Sequence, residues 1–142
     1  VSIEADRTEV GRTEANRDER CFVCGKDNAQ GLRLAFRYPA PGRAEADCLI
    51  PEHFSGWQRL THGGLLATLL DEAMAHACIS RWGNAVTVEL TVRYLKPVEV
   101  GQNVRVTGSV QEVKGRVLET RGEILDPAGQ AVARGRARFL RM

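Results

Sequence analysis

The sequence predicts an α+β domain: one long central helix wrapped by a curved antiparallel sheet of about six strands. Three observations predict it. Residues 63–81 hold strong helix formers, no proline, and apolar residues around most of the circumference, so this helix must be covered on nearly every side. The segments around it alternate at period two between Gly- and Pro-containing turns, two before the helix and four after it. The last segment alternates Ala133, Gly135 and Ala137 with Arg134, Arg136 and Arg138, and a face of small residues lets a helix lie close to a sheet.

At 142 residues, 43% hydrophobic and 27% charged, the chain is long enough for one domain with its own core. Residues 1–20 carry six acidic and four basic side chains and few large apolar ones, so they read as a solvated arm or a loosely docked helix. A single domain is expected over residues 21–142. Within it, residues 21–31 are a polar, Gly-containing loop. Leu32, Leu34 and Phe36 alternate through residues 32–38, and Pro39-Ala40-Pro41-Gly42 turns the chain into a second strand over 43–50, which reads as a hairpin. After an irregular stretch, Thr61 is placed to cap the helix. Nineteen residues give about 28 Å of helix.

Beyond Gly83-Asn84 the period changes to two. Val86, Val88, Leu90, Val92 and Tyr94 alternate with Thr87, Glu89, Thr91 and Arg93, and Pro97 ends the strand. Further strands are expected over 102–113, 116–125 and 131–141, joined by turns at Lys114-Gly115 and Asp126-Pro127-Ala128-Gly129-Gln130.

Net charge is +2, too balanced to indicate nucleic acid or an acidic membrane surface as the main partner. The longest run of small and apolar residues, 63–70, is too short to span a bilayer, and the charged N-terminus has no apolar region of a secretory signal. The four cysteines, Cys21, Cys24, Cys48 and Cys78, do not have disulfide-scaffold spacing, which makes the reducing cytoplasm the default compartment. Cys21-x-x-Cys24 has the spacing of half a zinc knuckle, but the sequence offers no second pair, so no metal is expected and the thiols read as loop packing.

The segment His62-Gly63-Gly64-Leu65-Leu66-Ala67-Thr68-Leu69-Leu70-Asp71-Glu72 carries the chemistry. Two glycines at a helix start leave backbone N–H groups bare, and these donors with the positive helix end can hold an oxyanion. Asp71 and Glu72 are the only acidic residues between Gly63 and Ser80. Charge in a buried helix is costly unless it is paired or used. The helical neighbours of Asp71, namely Ala67, Thr68, Ala75 and Cys78, are small and leave room for a substrate; the bland alternative is a salt bridge to Arg93 or Arg81. Glu72 and His76 are spaced to pair.

His-Gly-Gly with an acid nine positions after the His resembles the hotdog-fold acyl-CoA thioesterases of the PaaI-like branch. Cys21-Phe22-Val23-Cys24-Gly25, Asn28 and Gly31-Leu32 resemble the opening segment of one subgroup, and Val86-Thr87-Val88-Glu89-Leu90 with Tyr94-Leu95-Lys96-Pro97 resembles the strand after the helix. The resemblance implies a thioester hydrolase acting on acyl-CoA without a cofactor. It implies Asp71 as general base or nucleophile, Gly63 N–H as oxyanion donor and Thr87 as the hydroxyl that orients water. His62 would position the loop, with Gly64, Gln58 and Glu72 lining the substrate. Many relatives have an Asn just before His-Gly-Gly; here Gly56-Trp57-Gln58 stands there, and Gln58 is the candidate replacement.

Two other readings belong to the same fold: a non-catalytic acyl-CoA-binding module, and a β-hydroxyacyl dehydratase, echoed by His53-Phe54-Ser55-Gly56. In the dehydratases the acid lies about five residues after the helix-start Gly, whereas Asp71 is seven after Gly64. The last fifty residues hold ten Lys or Arg against five Asp or Glu, and Lys114, Arg116 and Arg136 are candidates for the phosphates of coenzyme A. Aromatic residues are not interleaved there, so nucleic acid is not expected. Because Gly63 and Asp71 are about 12 Å apart along one helix, the active unit is expected to be a homodimer with shared sites; a dimer of dimers, a homotetramer, is implied by resemblance only.

Overall fold

A computed structural model describes residues 18–142. The elements run β1 (Arg43–Leu49), a short 3-10 turn (Glu52–Phe54), α1 (Gly63–Trp82), β2 (Ala85–Tyr94), β3 (Asn103–Lys114), β4 (Val117–Leu125) and β5 (Ala131–Arg141). One antiparallel sheet, in the order β1-β3-β4-β5-β2, curves around α1. The core is the contact between helix and sheet: Leu66, Leu69, Leu70, Ala73 and Met74 meet Val106, Leu118, Ile124 and Phe139.

The helix lies in a trough of glycines. Gly108 of β3 pairs with Gly122 of β4, and Gly122 pairs with Gly135 of β5, so three strands present bare backbone side by side. A Cβ on Gly108 would overlap the Ala73 carbonyl, and one on Gly122 or Gly135 would press on Leu70 and Met74 at 3.2–3.4 Å. The small face of β5 seen in the sequence is thus one edge of a trough that crosses the sheet.

Among the described residues five strands form, where the sequence predicts about six. Over residues 32–38 only Arg37 bridges to the sheet, opposite Glu45. Arg33 has φ +52°, which interrupts the extended chain. Leu32 and Leu34 instead donate their N–H groups to Phe22 and Val23, tying this segment to the loop that begins at Cys21. The helix start also differs. His62, not Thr61, caps it, because His62 Nδ1 accepts from Gly64 N–H at 2.8 Å; Thr61 Oγ1 is buried without a partner among the described residues.

Most of the charged arm, residues 1–17, lies outside the described residues. Asp18–Arg20 belong to the folded body: Cys21 N–H donates to Asp18 O, and Asp27 N–H to Glu19 O. Among the described residues, no helix is long and apolar enough to cross a membrane.

Strand β2 stands at the edge of the sheet, with its outer backbone unpaired among the described residues. Its ladder with β5 slips at Val88: Thr87 faces Phe139 and Glu89 faces Arg138, leaving Val88 as an extra residue. Strict alternation would put Thr87 and Leu90 on opposite faces; the bulge brings both to the helix side. Val86 and Val88 are left exposed, at 44% and 57%.

Candidate active site

Asp71 projects from the third turn of α1 toward the start of β2. Thr87 Oγ1 donates to Asp71 Oδ1 at 2.7 Å, a contact that depends on the Val88 bulge. Burial pushes the Asp71 carboxyl above the ordinary carboxylate range; the Thr87 hydrogen bond pulls the other way, and the Glu72 charge adds to the rise. Neither Arg93 nor Arg81 pairs with it. Arg81 lies over the Trp82 ring instead. The carboxylate opens onto a pocket of ≈ 300 Å³ walled by Phe22, Val23, Ala67, Thr68 and Leu90. The small residues around Asp71 leave this space, as their helical spacing implies.

At the helix start, the His62 cap occupies Gly64 N–H. Gly63 N–H has no acceptor among the described residues, so it is the donor left to offer. Tyr94 OH donates to the Gly63 carbonyl at 2.8 Å and its ring lies against the Gly63 Cα. Nothing in the sequence links Tyr94 to Gly63. Only the pairing of β2 along the helix brings them together. Gln58 sits in the turn that precedes the helix, exposed and with φ +54°.

Glu72 lines the same pocket as Asp71 but is already engaged. His76 Nε2 lies 3.3 Å from its Oε2, the pairing expected from their spacing, and Cys21 Sγ donates to the same oxygen at 3.7 Å. Burial would raise the Glu72 carboxyl, but the bonds from His76, Cys24 and Cys21 outweigh it and hold it below the usual range. His76 is itself fixed by Tyr38 OH at 2.7 Å from Nδ1 and by stacking on Phe36 at 4.2 Å. Cys48 and Cys78 are buried, which pushes their thiols up to about 11 and about 12, so neither is primed as a nucleophile.

The basic candidates separate into two places. Lys114 and Arg116 flank the β3–β4 turn. Arg116 donates to Arg141 O at 2.9 Å, and Arg141 pairs with Ala85, so this turn shares the end of the sheet where Thr87 lies. Arg136 is on the face turned away from the helix. There it lines an open groove of ≈ 820 Å³ with Arg43, Arg93 and Arg121, wider than the Asp71 pocket but separated from it by the sheet. Arg134 pairs with Glu123, and Arg138 with Glu119 and Glu89; Arg136 has no carboxylate partner among the described residues.

Comparison with known proteins bears on this geometry. The thioesterase superfamily profile matches residues 59–133, more than half of the chain and the whole stretch from the turn before α1 into β5. Human acyl-coenzyme A thioesterase 13 is 29% identical over 100 residues, covering 68% of this chain and 71% of that protein. The thioesterase superfamily protein RHA08564 superposes with a TM-score of 0.79 at 25% identity, over 88% of this chain; the chain spans only 63% of that protein. The E. coli PaaI protein, from a phenylacetic acid degradation operon, superposes with a TM-score of 0.83 over 99% of this chain and 96% of its own at 22% identity, a likeness of fold.

Proposed function

The chain belongs to the thioesterase superfamily, and from that premise we propose that it hydrolyses acyl-coenzyme A or a closely related acyl thioester, with Asp71 as the general base. The observation that carries this reading is the Asp71–Thr87 pair. A half-buried carboxylate, made more basic by burial and held by a hydroxyl, faces a pocket with apolar walls and has no cationic partner among the described residues.

The acyl group enters between Phe22, Ala67 and Leu90. A water held by Asp71 and Thr87 attacks the thioester carbonyl carbon, and Asp71 takes its proton. The carbonyl oxygen, now an oxyanion, receives Gly63 N–H at the positive end of α1. The tetrahedral intermediate collapses, the C–S bond breaks, and the thiolate recovers the proton from Asp71. The products are a carboxylic acid and a free thiol. His62 serves by capping the helix through Gly64, which holds Gly63 N–H in place. Lys114 and Arg116 stand where they can meet the coenzyme's phosphates.

One chain cannot complete this site. Gly63 and Asp71 are about 12 Å apart along α1, and both must reach a single carbonyl. Two chains joined through their β2 edges place the two helices antiparallel, so that Gly63 of one approaches Asp71 of the other. The open edge of β2 and its exposed Val86 and Val88 support that joint. The active unit is then a homodimer with two equivalent shared sites.

The deciding experiment is thiol release from a panel of acyl-CoAs, followed with a chromogenic thiol reagent, with enoyl-CoA hydration measured in parallel. Turnover of thioesters abolished by Asp71→Asn supports the reading. Binding without turnover would make the protein a carrier or sensor, and hydration without thiol release would make it a dehydratase.

A further inference from the structure

We propose that Cys21, Cys24 and Glu72 bind one divalent cation of the zinc class, which fastens the loop of residues 21–31 to α1. The thioester chemistry at Asp71 does not enter into it. The Cys21 and Cys24 thiols and a Glu72 carboxylate oxygen converge within 4.8 Å of one another, the only such convergence of three metal-ligating side chains among the described residues. The sequence offered no second ligand pair for the knuckle. The fold supplies Glu72 from forty-eight residues further on.

The Cys21–Glu72 edge has the length a tetrahedral ion requires. Zinc–sulfur and zinc–oxygen bonds of about 2.3 and 2.0–2.2 Å require a sulfur–oxygen edge of about 3.5–3.7 Å. Cys21 Sγ and Glu72 Oε2 are 3.7 Å apart. Two thiolates and one carboxylate form a donor set that a borderline-soft ion such as zinc accepts, whereas magnesium and calcium prefer oxygen alone. Cys21 and Glu72 both line an open pocket, from which water can supply the fourth ligand.

The surroundings are built as a metal site's surroundings are. Val23 N–H donates to Cys21 Sγ at 3.4 Å, a bond that stabilises sulfur carrying negative charge. Gly25 follows Cys24 where any Cβ would overlap the Glu19 carbonyl, so the turn closes tightly around the two sulfurs. Glu72 is oriented by His76, and His76 by Tyr38 and Phe36, the kind of outer support that fixes a ligating carboxylate. Charge also balances. Without the ion, two neutral thiols and one carboxylate sum to −1. With it, two thiol protons leave and a +2 ion enters, so the site remains at −1 and no new charge is buried.

The test is to titrate the reduced, metal-stripped protein with Co²⁺ in the presence of a phosphine reductant. The expected result is a near-ultraviolet thiolate-to-cobalt charge-transfer band that saturates at one equivalent and is displaced by Zn²⁺. The band should fall by about half in Cys24→Ser and vanish in the Cys21→Ser/Cys24→Ser double variant, with circular dichroism checking each fold. Zinc should also raise Tm in the wild type but not in the double variant. Absence of the band from the reduced wild-type protein overturns the proposal, as does a band that persists in the double variant. The wild-type titration decides even if a variant fails to fold, and it is read without acyl-CoA turnover, so its failure and that of the thioesterase reading are distinguishable.

Discussion

Thr87 and Asp71 are sixteen residues apart, on different elements, yet their side chains meet at 2.7 Å. The contact needs three things at once: β2 packed along α1, the Val88 bulge that turns Thr87 inward, and a helix whose neighbouring side chains are small enough to leave the carboxylate reachable.

Asp71→Asn should lower kcat by at least about 100-fold, the usual scale for losing a general base. Thr87 can still donate to the Asn amide oxygen, so the fold is kept. The wild-type acid limb should lie above the pH at which an ordinary aspartate titrates, about 3.9, because burial raises the Asp71 carboxyl. Thr87→Val removes the one interaction that lowers it, so the acid limb should move to still higher pH. An unmoved limb in Thr87→Val would separate the pH dependence from Asp71.

The same shift has a consequence for stability, with a definite sign. A carboxyl whose folded pKa is raised disfavours the charged form in the native state. The Asp71 contribution to stability should therefore decline as pH rises from the unfolded Asp value through the raised Asp71 value and then level off, which is read as the difference between wild type and Asp71→Asn. Asp71→Asn should lack that decline and be at least as stable as wild type at neutral pH. Urea unfolding of both proteins across this range checks it.

The glycine trough gives a prediction about folding alone. Gly108→Ala would force a methyl into the Ala73 carbonyl. Overpacking of this kind costs about 1–3 kcal/mol, and the rigid backbone on both sides puts the expected loss at the upper end. Gly122→Ala meets the Thr107 carbonyl at 3.1 Å and Leu70 and Met74 side-chain atoms at 3.2 Å, far looser than the overlap with the Ala73 carbonyl at Gly108, and should cost less. Denaturant midpoints of the two variants give the comparison.

What could be read from the sequence was local. The apolar circumference of residues 63–81 and the period-two strands after it depend on neighbours a few positions away, and α1, β2, β3, β4 and β5 form close to the expected bounds. Asp71 and Gly63 stood out because two bare glycines and an acid are anomalous in such a helix. The rest depends on distant partners. Residues 32–38 alternate like a strand, but Phe22 and Val23 take their hydrogen bonds and Arg33 turns left-handed. The bulge at Val88 leaves no mark in the pattern Val-Thr-Val-Glu-Leu. Tyr94 on Gly63, and Glu72 beside Cys21 and Cys24, are matters of packing between elements.

The two basic regions should behave differently. Arg116 shares the end of the sheet where Thr87 lies, whereas Arg136 is on the far face. If Arg116 meets the coenzyme's phosphates, Arg116→Ala should raise KM for acyl-CoA more than it lowers kcat and leave acyl-pantetheine substrates unaffected. Arg136→Ala tests whether the outer groove contributes. An equal effect of Arg116→Ala on both substrate types would count against a phosphate contact.

The shared site makes the sharpest prediction. Gly63→Pro removes the N–H proposed to hold the oxyanion and little else. Position 63 is the first of the helix, where proline is tolerated. His62 already has the extended backbone, ψ 133°, that a following proline requires. The added Cβ would meet the Tyr94 ring at 3.4 Å, an ordinary contact. Homodimers of Gly63→Pro and of Asp71→Asn should each be nearly inactive. When the two chains are unfolded together and refolded, random pairing makes half of the dimers mixed. A mixed dimer has one site with Gly63 from the Asn chain and Asp71 from the Pro chain, both intact, and one site with both altered. Half of the dimers, each with one of two sites working, give about a quarter of wild-type activity. If each site lay within one chain, every site in the mixture would carry one altered residue and no activity would return. Recovery is read by thiol release, with mixed dimers isolated by two different affinity tags; correctly folded mixed dimers without activity, or full activity in a monomer, would defeat the shared site.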